Sequence, residues 1–589
     1  MREFEAGGMA DTAAVPVRAS KRARRQASKL RFAEKEVASR DEERELMQAL
    51  KISRRMAESV ASGADKNFDA LVAAPVFHPT EEEFALGPAA YAASIRDKAE
   101  QYGICRIVPP ASWKPPTERP PETRKLETKF QEINAMSEGH FFGEGKLYTA
   151  SEYEAMAKAF EKTWDESHAR SSGGRLAADG SGLCEPLGDA ERARAFERWF
   201  WDVVDTEAET LDVEYANDLN TASAFPKSGE YSTHPWNLNN IPHHETSLLR
   251  FMGEQVPGID APWVYLGMRF STFCWHTEDN WMYSINYNHT GAPKLWYGVP
   301  GSAAPLLERA MKEAIPSLFE ADPALLHKLV TLMPPTRLKS FGVPVVTTRQ
   351  RAGEFIITFP RSYHAGFNEG FNMCEAVNFA PVDWLPWGGE SRTEYQKISR
   401  PSFLRFEDML FHYAAFLKNT SPNGIDSHVG DLMGAQLRNV LREETLGREA
   451  ACRDGTVRSR RVRGAHLGAD SVCVKCKTPL CMSAIVASES LKIGAGGHKV
   501  RMTCVQHGAA LKVPPAERTM LYTHDLGELG KATAGFLGEI KRGGPEKGRT
   551  LDNLKVRRER RAPTPSCGAT RPAHAPRSRA FAGPVELRS

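Results

Sequence analysis

A histidine and a glutamate stand two residues apart in the stretch Phe273–Asp279, and another histidine occurs far along the chain in the stretch Tyr363–Asn368. Both stretches have the composition of β-strands. Because the side chains of a strand alternate between its two faces, His276 and Glu278 are predicted to point in the same direction. Together with His364 they could offer two imidazoles and one carboxylate to a single Fe(II) ion, an arrangement that leaves positions open for a substrate and dioxygen.

A lone His-x-Glu pair is a weak signal, since such pairs arise by chance on many exposed strands. Its surroundings strengthen the interpretation, because strand-like segments follow at Tyr283–Tyr287 and Pro293–Tyr297, and another, Gly353–Pro360, precedes the distant histidine. If strand parity continues through the turns, four more side chains face the same side: Ser284, Asn286, Lys294 and Trp296.

The chain from about Leu211 to Trp387 resembles the JmjC domain of the iron- and 2-oxoglutarate-dependent histone lysine demethylases, most closely their JARID-type branch. Four stretches carry the resemblance: Val213–Tyr215, Trp236–Asn240, Phe273–His276 and Glu375–Phe379. It implies a mainly β catalytic core, a double-stranded β-helix or jelly roll of the cupin type, with flanking helices and a small zinc-binding domain, α+β overall. Strands rich in β-branched and aromatic residues that alternate with Gly/Pro turns are typical of a jelly roll.

The resemblance also implies a role for each candidate residue. His276, Glu278 and His364 are the implied Fe(II) ligands, and Lys294 is the implied cation for the distal carboxylate of 2-oxoglutarate. The other implied contacts of this cosubstrate pocket are Tyr215, Phe273, Ser284, Asn286 and Trp296.

Two further residues, Tyr265 and Asn368, are predicted to line a pocket for the methylated ammonium group, since aromatic faces and oxygen dipoles favour a quaternary cation. Without the resemblance, Tyr215 and Tyr265 would be interpreted as core tyrosines and Asn368 as a turn residue.

A second cluster of metal-binding residue types lies nearer the C-terminus. The pairs Cys473-x-x-Cys476 and Cys504-x-x-His507 have the spacing of a four-ligand zinc site. Four of the ten cysteines fall between Cys473 and Cys504, which suits a reduced compartment and metal binding rather than a disulfide framework.

The position of this cluster matches the C5HC2-type finger that follows JmjC in JARID-like demethylases. That finger holds two zinc ions and has a Cys-x-Cys element after its Cys-x-x-His. Here the stretch Gly508–Pro515 contains no cysteine, and Cys481 and His498 are left without a full ligand set. We therefore predict one zinc ion rather than two.

The chain of 589 residues is long enough for several domains. Seven segments are predicted: a basic disordered arm at 1–70, a JmjN-like unit at 71–117, a linker or insert of unclear fold at 118–189, the JmjC core at 190–396 (JmjC proper at about 230–396), a helical segment at 397–465, the C5HC2-like finger at 466–532 and a basic disordered tail at 533–589. Helices are expected at Ala190–Thr206, Ser402–Asn419, Asp431–Thr445 and Tyr522–Leu529, and a capping box at Thr80 and Glu83.

The net charge of +3 does not by itself indicate a nucleic-acid binder. No apolar run of about 18 residues predicts a membrane span, and the N-terminus lacks the apolar stretch of a secretory signal. Basic clusters at Lys21–Arg25 and Lys555–Arg561 fit nuclear import signals or nucleic-acid contacts, and the alternative is a solvated arm and tail.

The sequence therefore predicts a nuclear histone lysine demethylase that uses Fe(II) and 2-oxoglutarate, binds zinc, and acts in chromatin on the methylated tail of histone H3, at di- or trimethylated lysine 4. Two alternatives stay open: a JmjC hydroxylase of protein side chains, and a catalytically silent chromatin scaffold.

Overall fold

The computed structural model describes residues 71–115, 120, 122–138, 143–172, 189–205, 210–220, 230–253, 255–321, 325–327, 332–456, 458–462, 467, 471–491 and 500–540. Both basic clusters and His498 lie outside these residues, so the predictions made for them stay predictions. Among the helices that the structure describes, none is both long enough and apolar enough to cross a membrane.

The strands of the described residues fall into three sheets. In chain order they are β1 Val72–Ala73, β2 Val76–Phe77, β3 Ile104–Ile107, β4 Leu126–Glu132, β5 Gly143–Tyr148, β6 Asp212–Asn220, β7 Trp263–Gly267, β8 Thr272–His276, β9 Tyr283–Gly291, β10 Lys294–Val299, β11 Val346–Gln350, β12 Phe355–Thr358, β13 Tyr363–Asn368, β14 Asn372–Phe379, β15 Arg458–Arg461, β16 Ser483–Ala487, β17 Met502–Thr503 and β18 Arg518–Tyr522.

The α-helices flank these sheets. In chain order they are α1 Glu81–Phe84, α2 Pro88–Ala99, α3 Ala150–Ser172, α4 Asp189–Asp205, α5 Glu230–Thr233, α6 Ala304–Ala314, α7 Pro316–Ala321, α8 Pro335–Ser340, α9 Leu385–Lys397, α10 Phe406–Thr420, α11 Ser427–Arg453 and α12 Leu526–Gly538.

Two of the sheets face each other and form the predicted jelly roll. One has the strand order β1-β11-β10-β13-β8 and the other the order β2-β3-β12-β9-β14-β7-β6-β4-β5. Between them, Trp296 and Val346 of the first sheet pack against Ile104 and Ile356 of the second. The predicted fold class is confirmed, and the space enclosed by the two sheets is where the polar candidate residues meet.

The segment before residue 110 completes both sheets rather than forming a core of its own. Strand β1 pairs in parallel with β11, while β3 pairs antiparallel with β12. The predicted capping box is present, because Thr80 accepts from the Glu83 N–H and the Glu83 carboxylate accepts from the Thr80 N–H. This segment is too small to bury a core alone, so it gains its stability by joining the barrel.

Two strands and one long helix occupy the stretch whose fold the sequence left unclear. Strands β4 and β5 extend the nine-stranded sheet, and α3 follows them. Helix α4 brings two aromatic rings against the barrel, where Phe200 stacks on Phe367 of β13 at 3.9 Å and Phe196 stacks on Phe270, in the turn before β8, at 4.8 Å. The helix predicted at Ala190–Thr206 is thus confirmed to within one residue of α4.

The boundaries predicted for the three C-terminal helices are wrong. Helix α10 begins at Phe406 instead of Ser402, because the Ser402 hydroxyl is occupied by the N–H of Leu404 and by Asn280 of the barrel. Helix α11 starts four residues earlier than predicted and extends beyond Thr445, since Asp426 caps the N–H groups of His428 and Val429. Tyr522 ends a strand, and the last helix starts only after Asp525.

The last helix also corrects the predicted start of the disordered tail. Helix α12 runs from Leu526 to Gly538 across the boundary expected at residue 532, and its Leu529 and Phe536 are buried. Its amino end carries a second capping box, formed by Asp525 and Glu528. Up to residue 540 this part of the chain therefore belongs to the folded protein.

Ile104 tests whether the N-terminal segment is part of the barrel core. Its side chain is fully buried between the two sheets, so Ile104→Ala should lower the free energy of unfolding by about 2–5 kcal/mol. The matched control is Leu446→Ala on α11, whose residue is 56% exposed and which should change stability by no more than about 0.5 kcal/mol. Urea denaturation of the full chain measures both, and equal effects would contradict this assignment.

Candidate active site

The two histidines and the glutamate come together where β8 and β13 pair. In this antiparallel ladder His276 lies directly opposite His364, and the two rings are 4.1 Å apart. Glu278 follows the end of β8 in extended conformation and keeps the strand parity, as predicted. One ligand atom from each residue lies within 4.8 Å of the other two, which is compatible with one shared metal ion.

The hydrogen bonds of the two rings select the nitrogens that face this centre. His276 donates from Nδ1 to the Cys274 carbonyl at 2.8 Å, and His364 from Nδ1 to the Ser362 carbonyl at 3.1 Å. Backbone carbonyls that hold one ring nitrogen in this way leave the Nε2 lone pair for a metal. The Nε2 atom of His364 is 3.3 Å from Glu278 Oε1.

The electrostatics keep the donors in their metal-binding forms. Burial and the neighbouring His364 lower the pKa of His276 to about 4. Burial acts to raise the pKa of Glu278, but the hydrogen bond with His364 and its other partners lower it to about 2. At neutral pH, His276 is therefore neutral and Glu278 ionised, a donor set that suits Fe(II).

Asn378 is a residue of this site to which sequence reasoning gave no role. Its Nδ2 atom donates to Glu278 Oε2 at 3.0 Å and to the Tyr283 carbonyl at 3.1 Å. The amide thus holds the carboxylate oxygen that does not contact His364. Asn378 is paired with Ser284 across the ladder, so its side chain faces the same side of the sheet as Ser284. Because Ser284 is predicted to face inward, this pairing would have indicated that Asn378 faces the site as well.

Lys294 is a further charged group inside the barrel. It is 2% exposed, and its Nζ atom donates to the Tyr215 hydroxyl at 3.0 Å across the gap between the two sheets. Within the described part of the chain, no carboxylate forms an ion pair with it. A buried ammonium with no anionic partner is costly, so the site is suited to a ligand carboxylate.

The pKa shifts of Lys294 and Tyr215 also suit a site that binds a carboxylate. Burial acts to lower the pKa of Lys294, but its interactions with Tyr215 and Cys374 raise it overall. Burial raises the pKa of Tyr215 in spite of the nearby ammonium. At neutral pH the pocket therefore offers a cation and a phenol O–H, both of which can bind a carboxylate.

Two aromatic rings lie close both to Lys294 and to the metal-binding residues. The rings of Phe273 and Trp296 are 4.7 Å apart, Lys294 Nζ is 5.3 Å from the Phe273 centroid, and Trp296 stacks at 6.0 Å on His364. Gly366 makes this packing possible, because a Cβ there would lie 2.6 Å from the Phe273 ring. The two rings predicted to wall the pocket thus lie beside both the cation and the triad.

Ser284 and Asn286 lie on strand β9 and face inward as predicted, but Ser284 is bonded to the neighbouring strand β12 and Asn286 to β11 of the facing sheet. Ser284 shares a hydrogen bond of 2.6 Å with Thr358, and the Asn286 side chain accepts from Gln350 at 3.1 Å. Gln350 also accepts from Trp296 Nε1 at 2.9 Å. No sequence signal pointed to Gln350, although its fully buried amide links the two sheets.

The two residues predicted for the methyl-ammonium pocket differ in their surroundings. Asn368 is fully buried opposite Lys294, and its amide donates to Ser271 Oγ at 2.8 Å and accepts from Asn372 at 2.8 Å. Tyr265 is partly buried, with its ring 6.2 Å from that of Tyr215. Their roles toward a substrate stay predictions.

The four predicted zinc ligands also converge. Ligand atoms of Cys473, Cys476, Cys504 and His507 all lie within 4.8 Å of one another. The sulfurs of Cys476 and Cys504 are 3.9 Å apart, near the roughly 3.8 Å of two sulfurs in a tetrahedral zinc site. Cys481 lies outside this group and packs in a separate apolar cluster. The residues therefore fit one zinc ion.

A jelly roll that holds two imidazoles and one carboxylate inside its barrel has the donor set of the non-haem Fe(II) oxygenases. Comparison with known families narrows this class. Residues 263–379, from β7 to β14, match the family described as "JmjC domain, hydroxylase", and residues 75–109 match the "jmjN domain". The chain thus carries a JmjN and a JmjC domain, as the resemblance implied.

Curated relatives extend this similarity. The chain is 40% identical over 403 residues to putative lysine-specific demethylase JMJ16 of Arabidopsis thaliana, covering 57% of this chain and 33% of that protein. It is 36% identical over 537 residues to lysine-specific demethylase JMJ703 of Oryza sativa subsp. japonica, with coverages of 80% and 42%. To human lysine-specific demethylase 5D it is 43% identical over 303 residues, with coverages of 49% and 19%. The chain thus spans less than half the length of these relatives.

Lys294 gives a test of the cosubstrate pocket. Lys294→Ala should raise the apparent KM for 2-oxoglutarate by roughly ten- to a hundredfold, because a charge-assisted bond to the distal carboxylate is lost, and should leave metal affinity nearly unchanged. Lys158→Ala, at an exposed position on α3, is the control. An unchanged dependence of turnover on 2-oxoglutarate would show that Lys294 is not the anchor.

The zinc cluster predicts a metal content of about one zinc per chain, by the four-ligand rule. Cys476→Ser should lose this zinc, whereas Cys481→Ser should retain it, because Cys481 packs outside the cluster. Elemental analysis of the purified full chain distinguishes the outcomes. A content near two, or zinc loss in the Cys481 variant, would mean that the ligand set is incomplete.

Proposed function

We propose that this chain is an Fe(II)- and 2-oxoglutarate-dependent histone lysine demethylase that removes methyl groups from di- and trimethylated lysine 4 of histone H3. The observation that carries the proposal is the convergence of the triad His276, Glu278 and His364 with the buried ammonium of Lys294 in one barrel. The named relatives support demethylation of lysine, and the JARID-type resemblance supports lysine 4.

Some residues of the site bind the cosubstrate, and others exclude water from the space beside the triad. Iron and 2-oxoglutarate bound here would supply an oxidation that consumes dioxygen, forms succinate and carbon dioxide, and releases the methyl group as formaldehyde. Lys294 and Tyr215 bind and orient the distal carboxylate of the cosubstrate, while Phe273 and Trp296 keep water from the space beside the triad. Because this chemistry needs no lone pair on the substrate nitrogen, trimethyllysine is an acceptable substrate.

For the methylated side chain, Tyr265 is the better placed of the two predicted residues. Its partly buried ring can offer an aromatic face to a quaternary ammonium group. The amide of Asn368 is already bonded to Ser271 and Asn372, so we propose that it supports the pocket from behind. A histone substrate implies action in the nucleus on chromatin, with the basic clusters of the two termini as proposed import signals or DNA contacts.

A panel of trimethylated histone H3 peptides tests the proposal. Each peptide is incubated with the full chain, Fe(II), ascorbate and 2-oxoglutarate, and followed by mass spectrometry together with a formaldehyde assay. We expect stepwise loss of methyl groups from the lysine 4 peptide and none with His276→Ala or Glu278→Ala, whose circular dichroism should stay near that of the unmodified chain.

The other outcomes separate the alternatives. Preferential reaction of the lysine 9 or lysine 36 peptide would overturn the site assignment. Turnover of 2-oxoglutarate with a stable oxygen addition to a protein and no formaldehyde would identify a hydroxylase. Absence of 2-oxoglutarate turnover under all these conditions would identify a scaffold that retains the fold without catalysis.

A further inference from the structure

The turn that follows Glu278 has an unusual backbone. Asn280 adopts φ 49° and ψ 27°, and Trp281 adopts φ 53°, so two consecutive non-glycine residues lie in the left-handed region. Such conformations cost on the order of 1 kcal/mol or more per residue and persist only where the surroundings impose them. The turn returns to the metal site, because the Trp281 N–H donates to the Glu278 carbonyl at 3.0 Å.

Every polar group of Asn280 is hydrogen-bonded to the segment that follows the barrel. Its backbone N–H donates to the Tyr395 hydroxyl at 3.0 Å, and its carbonyl accepts from Trp384 Nε1 at 3.0 Å. In the side chain, Oδ1 accepts from Ser402 at 3.1 Å and Nδ2 donates to Ser391 at 3.5 Å. With 2% of its surface exposed, Asn280 is enclosed by elements more than 100 residues away in sequence.

The residues on either side of Asn280 also have partners. Asp279 forms an ion pair with Arg400 at 2.7 Å, and the guanidinium of Arg361 lies 4.2 Å from the Trp281 ring centroid. Tertiary contacts therefore hold each of Asp279, Asn280 and Trp281 in the turn after Glu278. Of these three residues, Asn280 makes the most hydrogen bonds.

Hydrogen bonds also connect the segment that holds Asn280 with the proposed zinc-binding domain. Three residues beyond Ser402, the guanidinium of Arg405 donates to the carbonyls of Leu467 and Leu480 at 2.8 and 3.4 Å. Asn280 and Ser402 also line a small cavity together with Thr478 and Pro479, which follow the Cys-x-x-Cys turn. The packing of the finger thus reaches the residues that hold Asn280.

We propose that Asn280 is a positioning residue of the metal site. It holds the turn after Glu278 in the conformation that directs the carboxylate toward His276 and His364, and the segment from Trp384 to Ser402 holds Asn280. The proposal rests on the proposed iron site but concerns metal affinity, which can be measured without turnover.

The probe is manganese(II), which imidazole and carboxylate ligands accept and which does not compete with zinc for thiolates. Binding to the zinc-loaded full chain is followed by the electron paramagnetic resonance of free manganese. Asn280→Ala should weaken binding by roughly 10–100-fold, the usual effect of removing a group that orients a ligand. Asn280→Gly, which tolerates the left-handed backbone, should lose less affinity, and Ser402→Ala should lose a part of it.

The matched control is Lys512→Ala, which alters another non-glycine residue in the left-handed region, at an exposed position with φ 57°. It should leave manganese affinity unchanged, which separates positioning from a general loss of stability. Wild-type affinity in all three site variants, or an equal loss in the control, would overturn the positioning role alone. Absence of manganese binding by the unmodified chain would overturn the proposed iron site as well. If Asn280→Ala does not fold, the Gly and Ser402 variants decide.

Discussion

The pairing of β8 with β13 is the contact on which the rest of the site depends. It places His276 opposite His364 at the end of a ladder, so two residues almost ninety positions apart become neighbours. Glu278 can complete the donor set only because the chain stays extended for two residues beyond β8. A slip of one residue in this register would turn one imidazole to the other face of the sheet, and the shared centre would be lost.

The barrel also has to hold polar groups in a space from which water is largely excluded. Buried polar atoms without partners cost free energy, and several of the partners here lie on the facing sheet. Lys294 meets Tyr215 across the gap, and Gln350 bonds to both Trp296 and Asn286. These bonds fix the spacing of the two sheets as well as the side chains, so the site and the architecture are stabilised by the same contacts.

Support for the metal-binding residues extends beyond the JmjC domain. The JmjN segment supplies edge strands to both sheets, with Ile104 inside the barrel. The helices after the barrel close over the turn that contains Asn280, and Arg405 connects them to Leu467, which packs with Cys473 and Cys476 of the proposed zinc cluster. Four parts of the sequence thus contact one another around a site whose ligands come from β8, the stretch just after it, and β13.

The sequence by itself determined the donor set, the cation and the fold class. Residue chemistry and the two-residue period of strands suffice to place His276 and Glu278 on one face, and the resemblance connected them with His364 and Lys294. Only the tertiary structure decided the hydrogen bonds of Asn378, Gln350 and Asn280, the strands β4 and β5, and the start of α10. Each of these depends on partners far away in sequence: a carboxylate 100 residues distant holds Asn378, and a barrel asparagine keeps Ser402 out of the helix. Local periodicity carries no information about such long-range hydrogen bonds.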